Sequence, residues 1–402
     1  MFHRLTRARR SPAAPIMLPA LVAALPLALA GCGGGEEGGL STTAPLPTAV
    51  PAGTKIVFAD QNEQDQTLLK ASGELAKMKT KVQYANFLGG PAILEAFRAK
   101  AVDLAVVADT PPIQAQAAGE DVPIIAARQE RPFDYRLAIA PGAGIRTLGD
   151  LKGKKIAYGE GTGRQPYILR ALKKAGLTTK DVKLVPLKAA DFPDAVRNKQ
   201  VDAAPLNEPH FTRYVTEYRD RGGSGLPEAE TAGLATGLSF LYARRDALKD
   251  PAKAAGIAEY VRHWVRAQVW SNTNEDAWID AYFVKNQKLS VADGKTIMRA
   301  QGTFTFPRLD KNLINRQQQT IDLLFEAGDL PKRLKAEEAI DTRFDVVIQA
   351  AADSVGASRD ATPANGGSSP PARSSAPGGP SSPSGPPGSG SPAAAGRPEG
   401  GS

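Results

Sequence analysis

The chain has 402 residues, 42% of them apolar, which is enough to fill the cores of two domains, and a formal charge of +8. That charge does not point to nucleic acid: Arg4, Arg7, Arg9 and Arg10 lie in an acid-free N-terminal stretch, without them 46 basic residues face 42 acidic ones, and no later basic run carries interleaved aromatics. Histidines at 3, 210 and 263 and one cysteine leave no His-Glu-x-x-His, no spacing for a metal cluster and no disulfide within the chain, so no metal or other cofactor is expected.

Residues 1–31 read as a signal peptide: an arginine-rich start, an apolar run from 16 to 30, then Leu29-Ala30-Gly31-Cys32. Fifteen residues with Pro19 and Pro26 inside are too short to span a membrane, which takes roughly 20. Arg9-Arg10 also fits a twin-arginine signal, so the export route stays open. Leu29-Ala30-Gly31-Cys32 resembles the lipobox of bacterial lipoproteins, in which the cysteine is acylated and becomes the first residue. Cys32 is therefore the expected lipidation site, and the place of the protein is the outer face of the bacterial cell membrane. Residues 32–53, rich in Gly, Thr and Pro, read as a flexible linker of about 25 Å.

From 54 to about 349, short apolar runs alternate with amphipathic helices, the pattern of an α/β fold with mainly parallel sheet. Strands are expected at 55–58, 103–107, 122–127, 135–140, 155–158, 182–186 and 201–205. Helices are expected where Leu68, Leu75 and Ala76, then Ile93, Ala96 and Phe97, then Ile168, Ala171, Leu172 and Ala175 recur on one face. After 250 the chain reads as strongly helical to about 325. Residues 351–402 read as a disordered tail, because 39 of the 46 residues from 357 onward are Gly, Pro, Ser or Ala without a glycine period.

Four strand-to-helix junctions share a turn followed by proline near the first helical turn: Gly89-Gly90-Pro91, Asp109-Thr110-Pro111-Pro112, Gly161-Thr162-Gly163-Arg164-Gln165-Pro166 and Asn207-Glu208-Pro209. In a parallel sheet such junctions gather at the carboxyl ends of the strands, where helix starts offer unpaired N–H groups to an anion. The candidate ligand-binding set is Gln61, Asn62, Gly89, Gly90, Asp109, Thr110, Gly161, Thr162, Gly163, Asn207 and Glu208. Capping explains each junction equally well taken singly, and Thr162 with Gln165 fits a capping box. Arg164 stands where a dinucleotide fingerprint needs its last glycine, and no Gly-Lys-Ser/Thr marks a nucleotide loop.

Three segments, Ala108-Asp109-Thr110-Pro111-Pro112, Phe87-Leu88-Gly89-Gly90-Pro91 with Leu94-Glu95-Ala96, and Asp150-Leu151-Lys152-Gly153-Lys154-Lys155-Ile156-Ala157, resemble the aliphatic-sulfonate, taurine and nitrate group of ABC-importer substrate-binding proteins. The helix from Leu169 to Leu177 resembles the same group, and the matches run in order over residues 54–245. The resemblance implies a type II periplasmic-binding-protein fold, two α/β lobes joined by crossing strands near 134–140 and 239–244. Lobe I is then discontinuous, residues 54–136 and 242–350, and lobe II is 137–241. It also implies a monomer that closes over a small anionic or zwitterionic solute and delivers it to a permease and its ATPase. One departure stands out: where the family reads Trp-Asp-Pro-Phe, this chain has Asn207-Glu208-Pro209-His210. With Asp60, Asp109, Glu130, Glu160 and Glu208 expected near the cleft, a solute with a cationic or hydroxylated end suits the site better than a simple oxyanion. The alternatives are a sensory or scaffolding lipoprotein and an enzyme on the same fold. For the enzyme, His210 is the available base, and the body lacks the cysteine that desulfinases of this fold use.

Overall fold

In the computed structural model, which describes residues 39–130 and 135–359, the chain begins with β1 (Lys55–Gln61), α1 (Gln64–Ala71), β2 (Lys81–Phe87), α2 (Gly90–Arg98), β3 (Leu104–Ala108), α3 (Thr110–Ala117) and β4 (Ile124–Gln129). It continues through β5 (Tyr135–Ile139), β6 (Lys155–Tyr158), α4 (Arg164–Lys174), β7 (Lys183–Pro186), α5 (Phe192–Arg197), β8 (Ala203–Asn207), α6 (His210–Tyr218), β9 (Ser224–Gly225) and α7 (Glu228–Thr231). The last elements are β10 (Leu238–Ala243), α8 (Arg245–Lys249), α9 (Pro251–Thr273), α10 (Glu275–Trp278), α11 (Val291–Gln301), α12 (Lys311–Glu326) and α13 (Asp345–Asp353). Signal peptide, Cys32 and the tail beyond 359 lie outside the described residues.

Two five-stranded sheets result, ordered β2-β1-β3-β10-β4 and β7-β6-β8-β5-β9. Each is parallel except for one strand, β10 in the first and β5 in the second, which pairs antiparallel with its neighbours. All of β5 belongs to lobe II, where Tyr135 pairs with Asn207, and all of β10 belongs to lobe I, where Ser239 pairs with Ala108 and Arg128. The boundaries expected at 136/137 and 241/242 fall within β5 and β10, each of which pairs inside a single sheet.

β10 reads Leu-Ser-Phe-Leu-Tyr-Ala with every residue buried, as a strand covered on both faces requires. β2, not expected from the sequence, alternates Lys-Val-Gln-Tyr-Ala-Asn-Phe at the sheet edge, half-exposed throughout, so it lacks the apolar run that marks a central strand. Lobe I has one large core around Phe58, Tyr242, Tyr260 and Trp264, and lobe II has two smaller ones on either face of its sheet. A fourth cluster joins Ile113 of lobe I and Leu169 of lobe II through Ile321 and Leu324 of α12. Thus α12 packs against both lobes. Arg170 of α4 donates to Thr320 on it at 2.7 Å, and Gln317 donates to the Asp109 carbonyl at 2.7 Å.

Both terminal boundaries also shift. Leu40 N–H donates to the Lys249 carbonyl at 2.7 Å, Arg343 donates to the Ser41 carbonyl at 2.9 Å, and Leu46 packs on the lobe I core, so the linker expected over 32–53 is docked from about 39. α13 runs past 350 with Ala351 and Ala352 fully buried, and Arg359 binds Asp345 and the Phe306 carbonyl, so the tail expected from 351 starts no earlier than 360. Backbone carbonyls and single arginines hold these segments, and composition does not reveal such contacts.

Candidate ligand-binding cleft

The carboxyl ends of both sheets face each other across a cavity of about 390 Å³, within the range of small-molecule sites. Lobe I contributes Gln61, Asn62 and Gln64 after β1, Phe87 to Gly90 after β2, Val106 to Ala108 and Pro111, then Arg128, Glu130, Ser239 and Gln301. Lobe II contributes Tyr135, Thr162, Gly163, Arg164, Ala189, Ala190, Asn207, Glu208 and His210.

Eight of the expected residues therefore share the cavity: Gln61, Asn62, Gly89, Gly90, Thr162, Gly163, Asn207 and Glu208. Gln61 is tied down by its amide, which donates to the Val106 carbonyl at 2.9 Å. Gly89 has φ +101°, which L side chains rarely adopt, and a Cβ on Gly90 would stand 2.4 Å from Pro111 Cγ, so both positions need glycine. Gly163 is also tight: a Cβ there would lie 2.9 Å from Ala108 Cβ and 2.7 Å from the Tyr135 hydroxyl.

Asp109, Thr110 and Gly161 do not line the cavity. Thr110 is fully buried and its hydroxyl pairs with Asp109 Oδ1 at 3.0 Å, while Asp109 Oδ2 accepts from Thr236 at 2.9 Å. The Asp109-Thr110 pair thus faces the segment before β10, and Pro111 and Pro112 remove two N–H groups from the first turn of α3. Gly161 N–H donates to Gln165 Oε1 at 2.9 Å, and the Thr162 hydroxyl donates to the Gly159 carbonyl at 2.7 Å. Both bonds stay within the loop, and the N-cap residue of α4, Gly163, receives no side-chain cap, so the expected capping box does not form. Of the five acids expected at the cleft, Asp60 and Asp109 are buried behind it and Glu160 is exposed, so Glu130 and Glu208 alone reach the wall.

The residues that sequence reasoning missed carry most of the charge. Arg128 on β4 is buried, donates to Gln268 Oε1 at 2.9 Å, and stacks with its guanidinium carbon 4.5 Å from the Phe304 ring centre. Its Nε–H has no partner among the described residues. Arg164 at the start of α4 donates to the Pro205 carbonyl at 3.2 Å and to Asn207 Oδ1 at 2.6 Å, between the rings of Tyr135 and Phe192. A signal was present: an arginine inside the apolar strand Ile-Ile-Ala-Ala-Arg-Gln is a charge in a run that otherwise reads as buried.

Burial and then the Arg164 and Arg213 guanidiniums push His210 down to about 4, so it is neutral at physiological pH. Burial raises Glu208 despite the Thr212 N–H that it accepts at 3.1 Å. Beneath Arg128, burial and then the Asp65 charge push Asp60 up to about 7, although it accepts N–H groups from Gln61, Asp65 and Gln66. Asp65 is itself buried, raised by desolvation, and bound by the Trp264 indole at 2.8 Å. No group of His, Cys, Asp and Glu among the described residues is placed to hold a metal ion.

Residues 82–220 match the family model described as NMT1/THI5 like. An Escherichia coli K12 protein named an aliphatic sulfonates-binding protein is 28% identical over 262 residues, 65% of this chain and 80% of that one. A Bacillus subtilis protein of the same name is 25% identical over 267 residues, 66% of this chain and 77% of that one. The alkanesulfonate-binding protein SsuA from Xanthomonas axonopodis pv. citri, solved bound to MOPS, superposes with a TM-score of 0.65 at 26% identity, covering 73% of this chain and 99% of that one. The chain thus resembles the aliphatic-sulfonate group of ABC-importer binding proteins across both lobes, and its architecture is the type II periplasmic-binding-protein fold. The relatives carry the names of binding proteins.

Proposed function

We propose that this chain is the extracytoplasmic solute-binding component of an ABC importer, closing its two lobes over a small sulfonate-like anion and delivering it to a permease and its ATPase. The observation that supports this most is the pair of guanidiniums, Arg128 from lobe I and Arg164 from lobe II, on the walls of one cavity that also holds the Gly89-Gly90 start of α2. A guanidinium meets a tetrahedral oxyanion with two donors at fixed geometry, and a helix start adds backbone N–H groups and partial positive charge. Because the cations come from different lobes, an anion between them links the lobes, and capture is coupled to closure. The similarity to proteins named for sulfonates agrees with that chemistry.

In this reading Cys32 carries the lipid, and residues 33–38 with the docked segment after them connect the monomeric body to the outer face of the cell membrane. No helix among the described residues is long and apolar enough to cross a membrane. The deciding experiment is a thermal-shift and calorimetric screen of the chain without its signal peptide against short alkanesulfonates, nitrate and matching carboxylates. A bound ligand stabilises the folded state by RT ln(1 + [L]/Kd), about 2.7 kcal/mol at a hundredfold excess over Kd. Stabilisation by a sulfonate is the expected result; a folded protein that responds to none of them at millimolar concentration overturns the reading.

A further inference from the structure

The carboxyl ends of the parallel strands of lobe I face the cleft, and their opposite ends gather lysines. Lys55 and Lys81, the first residues of β1 and β2, stand side by side in parallel register, and Lys79 lies just before them. Lys249 ends α8 and leads into α9, whose Gly256 packs on Thr54 and Thr80 beside that pair. All four lysines are exposed, and none enters an ion pair among the described residues. The acids at the same end are already engaged. Asp103 is buried against Arg244 and Lys253, and Asp121 and Asp246 are held by Arg245 and Arg244. Glu74 is bound by Lys77 and His263, Glu259 accepts from the Thr80 hydroxyl at 2.6 Å, and Asp250 caps α9. Protection of a sheet edge accounts for Lys81 on β2, but Lys55 lies on an inner strand and Lys249 on none. Like charges gathered on one face repel one another unless an anionic surface meets them.

The path of the chain says which surface. Leu40 N–H donates to the Lys249 carbonyl at 2.7 Å, and a Cβ on Gly39 would stand 2.9 Å from Lys249 Cβ, so the segment arriving from Cys32 reaches the body at this end. Gly39 is the seventh residue after Cys32, and a chain of that length spans at most about 25 Å. The cleft lies at the other end of the lobe. Gly256 of α9 packs among the lysines while Gln268 of the same helix holds Arg128, and the helix between them rises about 18 Å.

We propose that this end of lobe I is a membrane-docking surface, on which Lys55, Lys79, Lys81 and Lys249 meet the phosphates of anionic lipid headgroups. The placement rests on the reading of Cys32 as the lipidation site. The acyl chains hold the protein, and the lysines set its orientation, with the cleft turned away from the bilayer towards incoming solute. Attraction of this kind reaches about one Debye length, roughly 8 Å at physiological salt, so the surface docks by close contact and salt reverses it. Delivery to a permease then requires the surface to lift.

The test removes the lipid so that the surface alone is read. The chain without its signal peptide and with Cys32→Ser is sedimented with vesicles of phosphatidylcholine, pure or with about one third phosphatidylglycerol, at about 0.1 M and about 0.5 M NaCl. Retention on the anionic vesicles, lost at the higher salt, is the expected result. A lysine close to an anionic surface contributes about fivefold to partitioning, so Lys55→Gln, Lys79→Gln, Lys81→Gln and Lys249→Gln together should weaken it about 100-fold or more. The same four-charge change at the corresponding end of lobe II, by Lys152→Gln, Lys155→Gln, Lys180→Gln and Lys183→Gln, should weaken it less than about fivefold. Thermal unfolding checks that both variants are folded. No preference of the parent for the anionic vesicles overturns the proposal, as do equal losses in the two variants, which would make net charge the cause. Mass spectrometry of the exported protein tests the other reading separately: an unacylated Cys32 overturns lipidation and the orientation with it, while the vesicle result still decides the surface.

Discussion

The two arginines of the cleft are held in opposite ways. Arg128 in lobe I lies on a strand, anchored by Gln268 and the Phe304 ring, with its Nε–H unmatched and the Gln268 amide nitrogen behind it unmatched as well. Arg164 in lobe II stands at a helix start, two of its nitrogens bonded to the Pro205 carbonyl and Asn207 and its plane between two rings. Lobe I therefore presents hydrogen-bonding capacity that a ligand must fill, whereas lobe II presents charge whose local bonds are already made. A buried donor left open is a stronger demand than one already satisfied. In the proposed function this difference assigns capture to lobe I and cover to lobe II.

Breaking the lobe I side should have the largest effect. Arg128→Met keeps the stem and removes the donors, and with two charge-assisted bonds at roughly 1.5–3 kcal/mol each it should weaken sulfonate binding by about 100-fold or more in calorimetry. A loss below tenfold in a folded variant would contradict the capture role. Arg164→Gln retains a donor for Asn207 and removes the charge, so a loss of about 10- to 30-fold is expected. Parity between the two variants would erase the distinction between the lobes.

Acidity should sharpen the comparison, because only the lobe I arginine has a buried carboxylate pair beneath it. Asp60 is raised to about 7 in the folded chain against an ordinary value of 3.8, so between those values the folded state holds a proton that the unfolded state has lost. Stability from this source is present at low pH and is lost as pH rises towards 7. The unfolding midpoint of the ligand-free protein should therefore fall from pH 5 to 7.5, and Asp60→Asn should flatten that slope; an unchanged slope would show that the pair does not titrate there. The smallest effect belongs to Thr110→Ala. Its hydroxyl serves Asp109 rather than the cavity, so affinity should change less than threefold while stability falls by about 1 kcal/mol. A tenfold loss of affinity would return Thr110 to the binding surface.

Much of the fold was legible from local pattern. The strand expected at 155–158 is β6, the apolar face from Ile168 to Ala175 is α4, and the Gly-Gly-Pro and Gly-Thr-Gly junctions do stand at the cleft. β2 escaped because an edge strand with alternating polar residues has no distinctive run. A hydroxyl at a helix start serves a ligand or a neighbouring carboxylate equally well in sequence; in the fold that of Thr110 donates to Asp109, which also accepts from Thr236, more than a hundred residues away.

The sequence by itself determined the alternation of strands and helices and the places where helices begin, since these follow from periodicity and turn chemistry within a few residues; separately, four of its segments carry the resemblance to a family. Tertiary structure alone decided which charges meet. Arg128 and Arg164 come from different sheets, and Glu130 and Glu208 reach the same space from opposite sides of a crossing. Electrostatic interaction depends on distance and burial in the folded molecule, which no local pattern encodes.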